Sequence, residues 1–185
     1  MKIKINQDML NQAKVEAKKR NPHIKHHFNI KHLSGNERDM IGFLGEFAGC
    51  QIFNIDWKKN IRTNYLTIDS FDLKYNNYKV DIKTETVPYN YAQKILKRKI
   101  DDNELYGRRL INAGQVALLS KYDLVVFGLF IRSNIDYWYP IGYQSTSFIM
   151  GKYTVKRQRP DGGKYPFPGL PVKTSDLLSI DKLLN

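Results

Sequence analysis

The chain predicts an α/β fold, a mixed β-sheet flanked by α-helices, on three observations. Residues 71–85, FDLKYNNYKVDIKTE, alternate apolar and polar positions on either side of a two-asparagine turn, which is the period of a half-buried hairpin. Residues 34–52 carry apolar side chains at helical spacing. Residues 124–131, LVVFGLFI, are an unbroken apolar run, as in a strand covered on both faces. The resulting order of helix, hairpin, helix, strand, strand suits helices layered on a sheet.

The 185 residues suit one domain with a sizeable core. That core is expected over 34–143, with a helix at 7–20 and a basic loop plus helix at 152–184 as additions. Lys and Arg number 30 against 18 Asp and Glu, a formal net charge of +12. Such an excess calls for a polyanionic partner, most simply nucleic acid, with an acidic membrane surface as the competing reading. The longest apolar run is too short to span a bilayer, and MKIKINQDML has no apolar signal region, so no membrane partner is expected. The single cysteine, Cys50, excludes an internal disulfide and suits a reducing, cytoplasmic compartment.

In residues 7–20, Met9, Leu10, Ala13 and Ala17 recur at helical spacing, and Asn21-Pro22 ends the helix. All four histidines follow, His23, His26, His27 and His32. Neighbouring lysines would repel a cation and no cysteine is near, so a basic or incidental loop is expected there rather than a zinc site. Ser34 and Glu37 then form a capping box. Met40, Ile41, Leu44, Phe47, Ala48 and Ile52 make the apolar stripe of the next helix. Gly42, Gly45 and Gly49 share one side of it, each costing about 1 kcal/mol against Ala, and allow a close backbone approach. Glu46 lies one turn beyond Gly42. A short strand is expected over 65–68.

In the hairpin, Asn76-Asn77 fits a type I′ turn, whose central residues need positive φ. The register then sets Tyr75 against Tyr78, Lys74 against Lys79, Leu73 against Val80 and Asp72 against Asp81. Two carboxylates about 5 Å apart at Cβ repel, unless a divalent cation with oxygen ligands stands between them. Lys83 points to the Asp81 face. Asp69 is a rival first acid of opposite parity, so Asp72, which faces Asp81 without a bulge, is preferred. Thr84 and Glu85 are supporting groups; Glu85 shares the Lys83 face and is a candidate partner for it.

Residues 86–114 are polar and partly helical. Lys94, Lys97, Arg98, Lys99, Arg108 and Arg109 interleave with Tyr89, Tyr91 and Tyr106, as phosphate contacts and base stacking require. A helix end at 116–119, the buried strand, a turn at Ser133-Asn134, a strand over 137–143 and a short helix at 145–150 follow. Residues 152–173 are rich in Pro, Gly and cations and read as a loop over the substrate side, carrying Lys156, Arg157 and Arg159. Thr174 is expected to cap a last amphipathic helix through Leu177, Leu178, Ile180, Leu183 and Leu184 that packs on the core; its apolar face, if left exposed, is a candidate homodimer interface.

Asp72 followed across a hairpin by Asp81-Ile82-Lys83 resembles the signature of the PD-(D/E)XK nuclease superfamily. Phe71 stands where the family's proline would be. Gly42-Phe-Leu-Gly45-Glu46 resembles the G-x-x-G-E helix that precedes the hairpin in many members, and Tyr122-Asp123-Leu-Val-Val-Phe fits the strand after the family's helix. The resemblance covers about residues 34–143. It implies a restriction-endonuclease-like core and a metal-dependent nuclease that cuts DNA as an endonuclease.

By that resemblance, Asp72, Asp81, Glu46 and the Ile82 carbonyl hold Mg²⁺, for which Mn²⁺ substitutes, and Lys83 positions the attacking water and stabilises the transition state. A non-cleaving nucleic-acid-binding protein on the same fold and an RNA-processing nuclease are the alternatives.

Overall fold

The computed structural model of the chain describes residues 1–20, 33–63, 65 and 71–184. A two-residue strand, β1 (Ile3–Lys4), precedes α1 (Gln7–Arg20) and α2 (Gly35–Ile52). The capping box forms: the Glu37 N–H donates to Ser34 Oγ at 3.2 Å, and the Ser34 N–H donates to the Glu37 carboxylate at 2.8 Å. A hairpin follows, β2 (Leu73–Tyr75) and β3 (Tyr78–Val87). Asn76 and Asn77 have φ of 45° and 70°, as a type I′ turn demands. The register pairs Leu73 with Val80, Lys74 with Lys79 and Tyr75 with Tyr78.

Next come α3 (Tyr89–Leu96), β4 (Arg108–Asn112), a 3₁₀ segment (Ala113–Lys121), β5 (Leu124–Ile131) and β6 (Asn134–Ser145). The chain closes with α4 (Thr146–Lys152), β7 (Lys156–Gln158), β8 (Lys164–Lys173) and α5 (Asp181–Leu184). The fold is therefore mixed α/β. Its main sheet has five strands in the order β1-β6-β5-β3-β2. β3 and β5 run parallel, so a crossover must join them, and α3, β4 and the 3₁₀ segment supply it.

All eight residues of β5 are buried, because the sheet is covered on both faces. On one face Val80, Ile82, Leu124, Val126 and Phe130 pack with α1 and α2 residues such as Met9, Ala13, Phe43 and Phe47. On the other, Val125, Phe127, Leu129 and Ile131 pack with Ala92, Ile95, Ile111 and Val172. Each of the larger aliphatic and aromatic side chains contributes about 1.5–3 kcal/mol by leaving water. The α2 glycines set how closely the helix seats. A Cβ on Gly45 would lie 2.7 Å from Thr84 Cβ, and one on Gly49 would lie 2.9 Å from Ile82 Cδ1. Gly42, by contrast, opens on empty space.

Two expectations at the C-terminal end are corrected. Residues 152–173 are not a plain loop. β7 and β8 join β4 in a three-stranded antiparallel sheet, order β4-β8-β7. Prolines usually bar a strand because they cannot donate to the ladder. Here Pro166 and Pro168 fall between the β7 partners, Lys164 and Gly169, and outside the β4 pairing, which begins at Gly169; Pro171 lies within the β4 ladder, opposite Leu110, but beyond the β7 partners.

The last long helix does not form either. Thr174 Oγ1 donates to the Gly107 carbonyl at 2.6 Å rather than capping a helix. Leu178 bridges to Tyr143, and α5 is only four residues long. Leu177 and Ile180 are buried in the two cores, so the continuous apolar helix face offered as a dimer interface is absent from the described residues.

The histidines at 23–32, the strand expected over 65–68 (Tyr65 aside) and Asp69 lie outside the described residues. No helix among the described residues is long and apolar enough to cross a membrane.

Candidate active site

The brevity of β2 creates the site. Beyond Leu73 the hairpin ladder stops, yet β3 continues for several residues. The Asp72 N–H donates to the Val80 carbonyl at 3.0 Å, and the Asp72 carboxylate then accepts from the Ile82 N–H at 2.6 Å. The Asp72 side chain thus takes the place of the next backbone acceptor. Because the N–H and C=O of one strand residue point the same way, the Ile82 carbonyl faces this edge too.

Alternation along β3 separates its residues. Ile82 and Thr84 lie under the α2 glycines, while Asp81, Lys83 and Glu85 point to the other face. Asp81 is buried, and Lys83 Nζ lies 2.8 Å from each of its carboxylate oxygens. Oδ2 is fully buried and, despite that approach, receives no properly angled hydrogen bond. Glu85 pairs with Arg109, not with Lys83.

Glu46 projects from α2 toward the same edge and is 7% exposed. Its oxygens accept from Arg62 Nη2 at 3.3 and 3.4 Å, and the same nitrogen is 3.9 Å from Asp72 Oδ1. Burial pushes the Glu46 carboxyl up, against the opposing pull of Arg62, Arg20 and Lys83. Asp72 is held well above the usual carboxylate range by burial, then by the charges of Glu46 and Asp81. Burial pushes the Lys83 ammonium down, but Asp81 and Asp72 outweigh it and the net shift is upward, so it stays charged. Cys50 is buried nearby, and burial, then Glu46 and Asp72, push its thiol up to about 12; it is no nucleophile at neutral pH.

The structure therefore brings Glu46, Asp72, Asp81 and Lys83 within electrostatic reach of one another. Among the described residues no three Asp, Glu, His or Cys side chains converge as a ready metal-binding group, because Glu46 and Asp72 turn to Arg62, and Asp81 to Lys83. The donor chemistry still fits a hard cation. The set is all oxygen, Asp81 Oδ2 lacks a hydrogen bond, and the crowding that raises Asp72 is relieved by added positive charge.

Arg62 and Glu16 escaped the sequence reading. Arg62 sits in a stretch without periodicity. Glu16 is fully buried and accepts from the Arg62 N–H at 3.2 Å, the Tyr65 hydroxyl at 2.6 Å and the Gln12 amide at 2.9 Å. Its signal was present: Glu16 shares the buried stripe of α1 with Met9, Ala13 and Ala17.

The basic residues divide into tethered and open groups. Arg109 is corrected: it is 2% exposed, pairs with Glu85 and donates to the Tyr106 carbonyl, so it is no surface phosphate contact. Burial lowers its guanidinium to about 9, still charged at neutral pH. Arg98 donates to the Ile141, Thr174 and Leu177 carbonyls, which ties down the C-terminal segment. Lys94 pairs with Glu104, Arg159 with Asp161, and Arg108 bonds the Asp102 carbonyl and Asn103. Lys97, Lys99, Lys156 and Arg157 are exposed. Lys156 and Arg157, with Gln158 and Lys164, line an open concavity of about 430 Å³. No protein-family model, curated protein or solved structure matches the chain.

Proposed function

We propose that the chain is a metal-dependent nuclease of the PD-(D/E)XK superfamily, with a restriction-endonuclease-like core, that hydrolyses phosphodiester bonds in DNA as an endonuclease. One observation carries the reading: at one sheet edge Asp72 accepts from the Ile82 N–H between Asp81 and Lys83, which pair at 2.8 Å, and a single Arg62 nitrogen links Asp72 to Glu46 of α2. Glu46, Asp72, Asp81 and the Ile82 carbonyl would hold Mg²⁺ or Mn²⁺. Bound there, the ion supplies an activated water and neutralises phosphate charge.

The chain's own part is positional and electrostatic. Asp81 orients the Lys83 ammonium, which stabilises charge growing on the scissile phosphate. Lys97, Lys99, Lys156 and Arg157 attract the backbone.

A second reading, a nucleic-acid-binding protein that does not cut, is favoured by the pairing of Glu46 and Asp72 with Arg62. The test uses supercoiled plasmid, linear duplex, single strands, a four-way junction and RNA, each with Mg²⁺, Mn²⁺ or EDTA. Cutting with either metal and none with EDTA is expected. Tight, salt-sensitive binding without cutting would hand the protein to the second reading.

A further inference from the structure

The Glu46–Asp72 pair already holds a cation, and it is one of the protein's own. Arg62 Nη2 stands 3.3 Å from Glu46 Oε2 and 3.9 Å from Asp72 Oδ1. The side chains are 15% exposed for Arg62, 9% for Glu46 and 12% for Asp72, so solvent screens little of the attraction. The placement is built rather than incidental to a long side chain. The Arg62 N–H is anchored to the buried Glu16 carboxylate, which the Tyr65 hydroxyl and the Gln12 amide also hold. The Arg62 guanidinium lies 5.2 Å from the centre of the Phe43 ring, a cation–π distance.

A divalent ion seeking Glu46 and Asp72 therefore meets a positive charge on the same oxygens. We propose that Arg62 is a built-in competitor for the divalent cation at Glu46 and Asp72, and that cation binding displaces its guanidinium. This rests on the nuclease reading. In the resting protein Arg62 keeps two buried carboxylates from facing each other unpaired, an arrangement that is costly. It thereby sets the metal concentration at which the site fills.

The test is Mn²⁺ binding to the full chain without nucleic acid, read by electron paramagnetic resonance of the free ion. Arg62→Gln removes the charge, and its affinity for Mn²⁺ is expected to rise about tenfold or more. Arg62→Lys keeps the charge and should stay near wild type. Unchanged or weaker binding by a folded Arg62→Gln protein would overturn the proposal. A second measurement does not depend on the folding of Arg62→Gln. In ¹⁵N-arginine NMR with Mg²⁺, the Arg62 Nε–H signal, identified by its absence from Arg62→Lys, should move as the ion binds. A signal that stays fixed while Mg²⁺ binds would overturn the proposal while leaving the nuclease reading intact. Failure of every protein to bind either ion would remove both.

Discussion

The Lys83 ammonium lies 2.8 Å from each carboxylate oxygen of Asp81, two residues back on the same face of β3. Burial pulls the lysine's pKa down; Asp81 and then Asp72 outweigh it, and the net shift is upward. The strand period thus does chemical work, because i and i+2 share a face. A one-residue slip would send Asp81 and Lys83 under α2.

The seat of α2 on β3 predicts opposite outcomes for two glycines one turn apart. A methyl group on Gly45 runs into Thr84, whereas one on Gly42 meets nothing within 4 Å. Gly45→Ala should lower stability by about 1–3 kcal/mol. Gly42→Ala should raise it by about 0.5–1 kcal/mol through helix propensity. Urea midpoints measure both, and a neutral Gly45→Ala would contradict the close packing.

Local rules made much of this legible in the sequence. The Ser34–Glu37 box, the Asn76-Asn77 turn and the stripe of α1 are short-range signals, and each sits where the residues demanded. What stayed hidden depends on distant partners. β8 reads as a proline-rich loop until β4 and β7 are beside it. Thr174 reads as a helix cap until Gly107 offers its carbonyl. Arg109 reads as a surface cation until Glu85 is found across from it. At the site, the motif spacing named Glu46, Asp72, Asp81 and Lys83, but nothing in sequence links Arg62 to acids on two other segments.

The division of the basic residues predicts separable defects. Lys156→Ala with Arg157→Ala should weaken DNA binding and reduce the log–log salt slope by about 2, at near 0.9 per phosphate lost, with little change in thermal midpoint. Arg109→Ala should behave oppositely, costing about 3 kcal/mol by opening a cavity and stranding Glu85. Binding titrations over a salt series, paired with thermal melts, check this. Equal melting of both variants would contradict the assignment.

Stability should also respond to pH in a stated direction. Asp72 sits well above its ordinary 3.8, and Glu46 above its 4.5. A carboxyl raised on folding binds its proton more tightly in the native state. Its contribution is present below the ordinary value and is lost as pH rises through the folded value. With EDTA present, part of the stability should therefore be lost between a pH near those ordinary values and neutral pH. Asp72→Asn should flatten that loss, as read by urea denaturation at the two pH values. A loss of the same size in Asp72→Asn would remove Asp72 as the cause.

The most direct test compares DNA cleavage and DNA binding by wild type, Lys83→Ala and Asp81→Ala, with Mg²⁺ and with EDTA. Wild type should cut only with the metal, and each variant should cut at least about 10²–10³-fold more slowly while still binding DNA. Cleavage that survives in both folded variants, or that proceeds in EDTA, would contradict the β3 site.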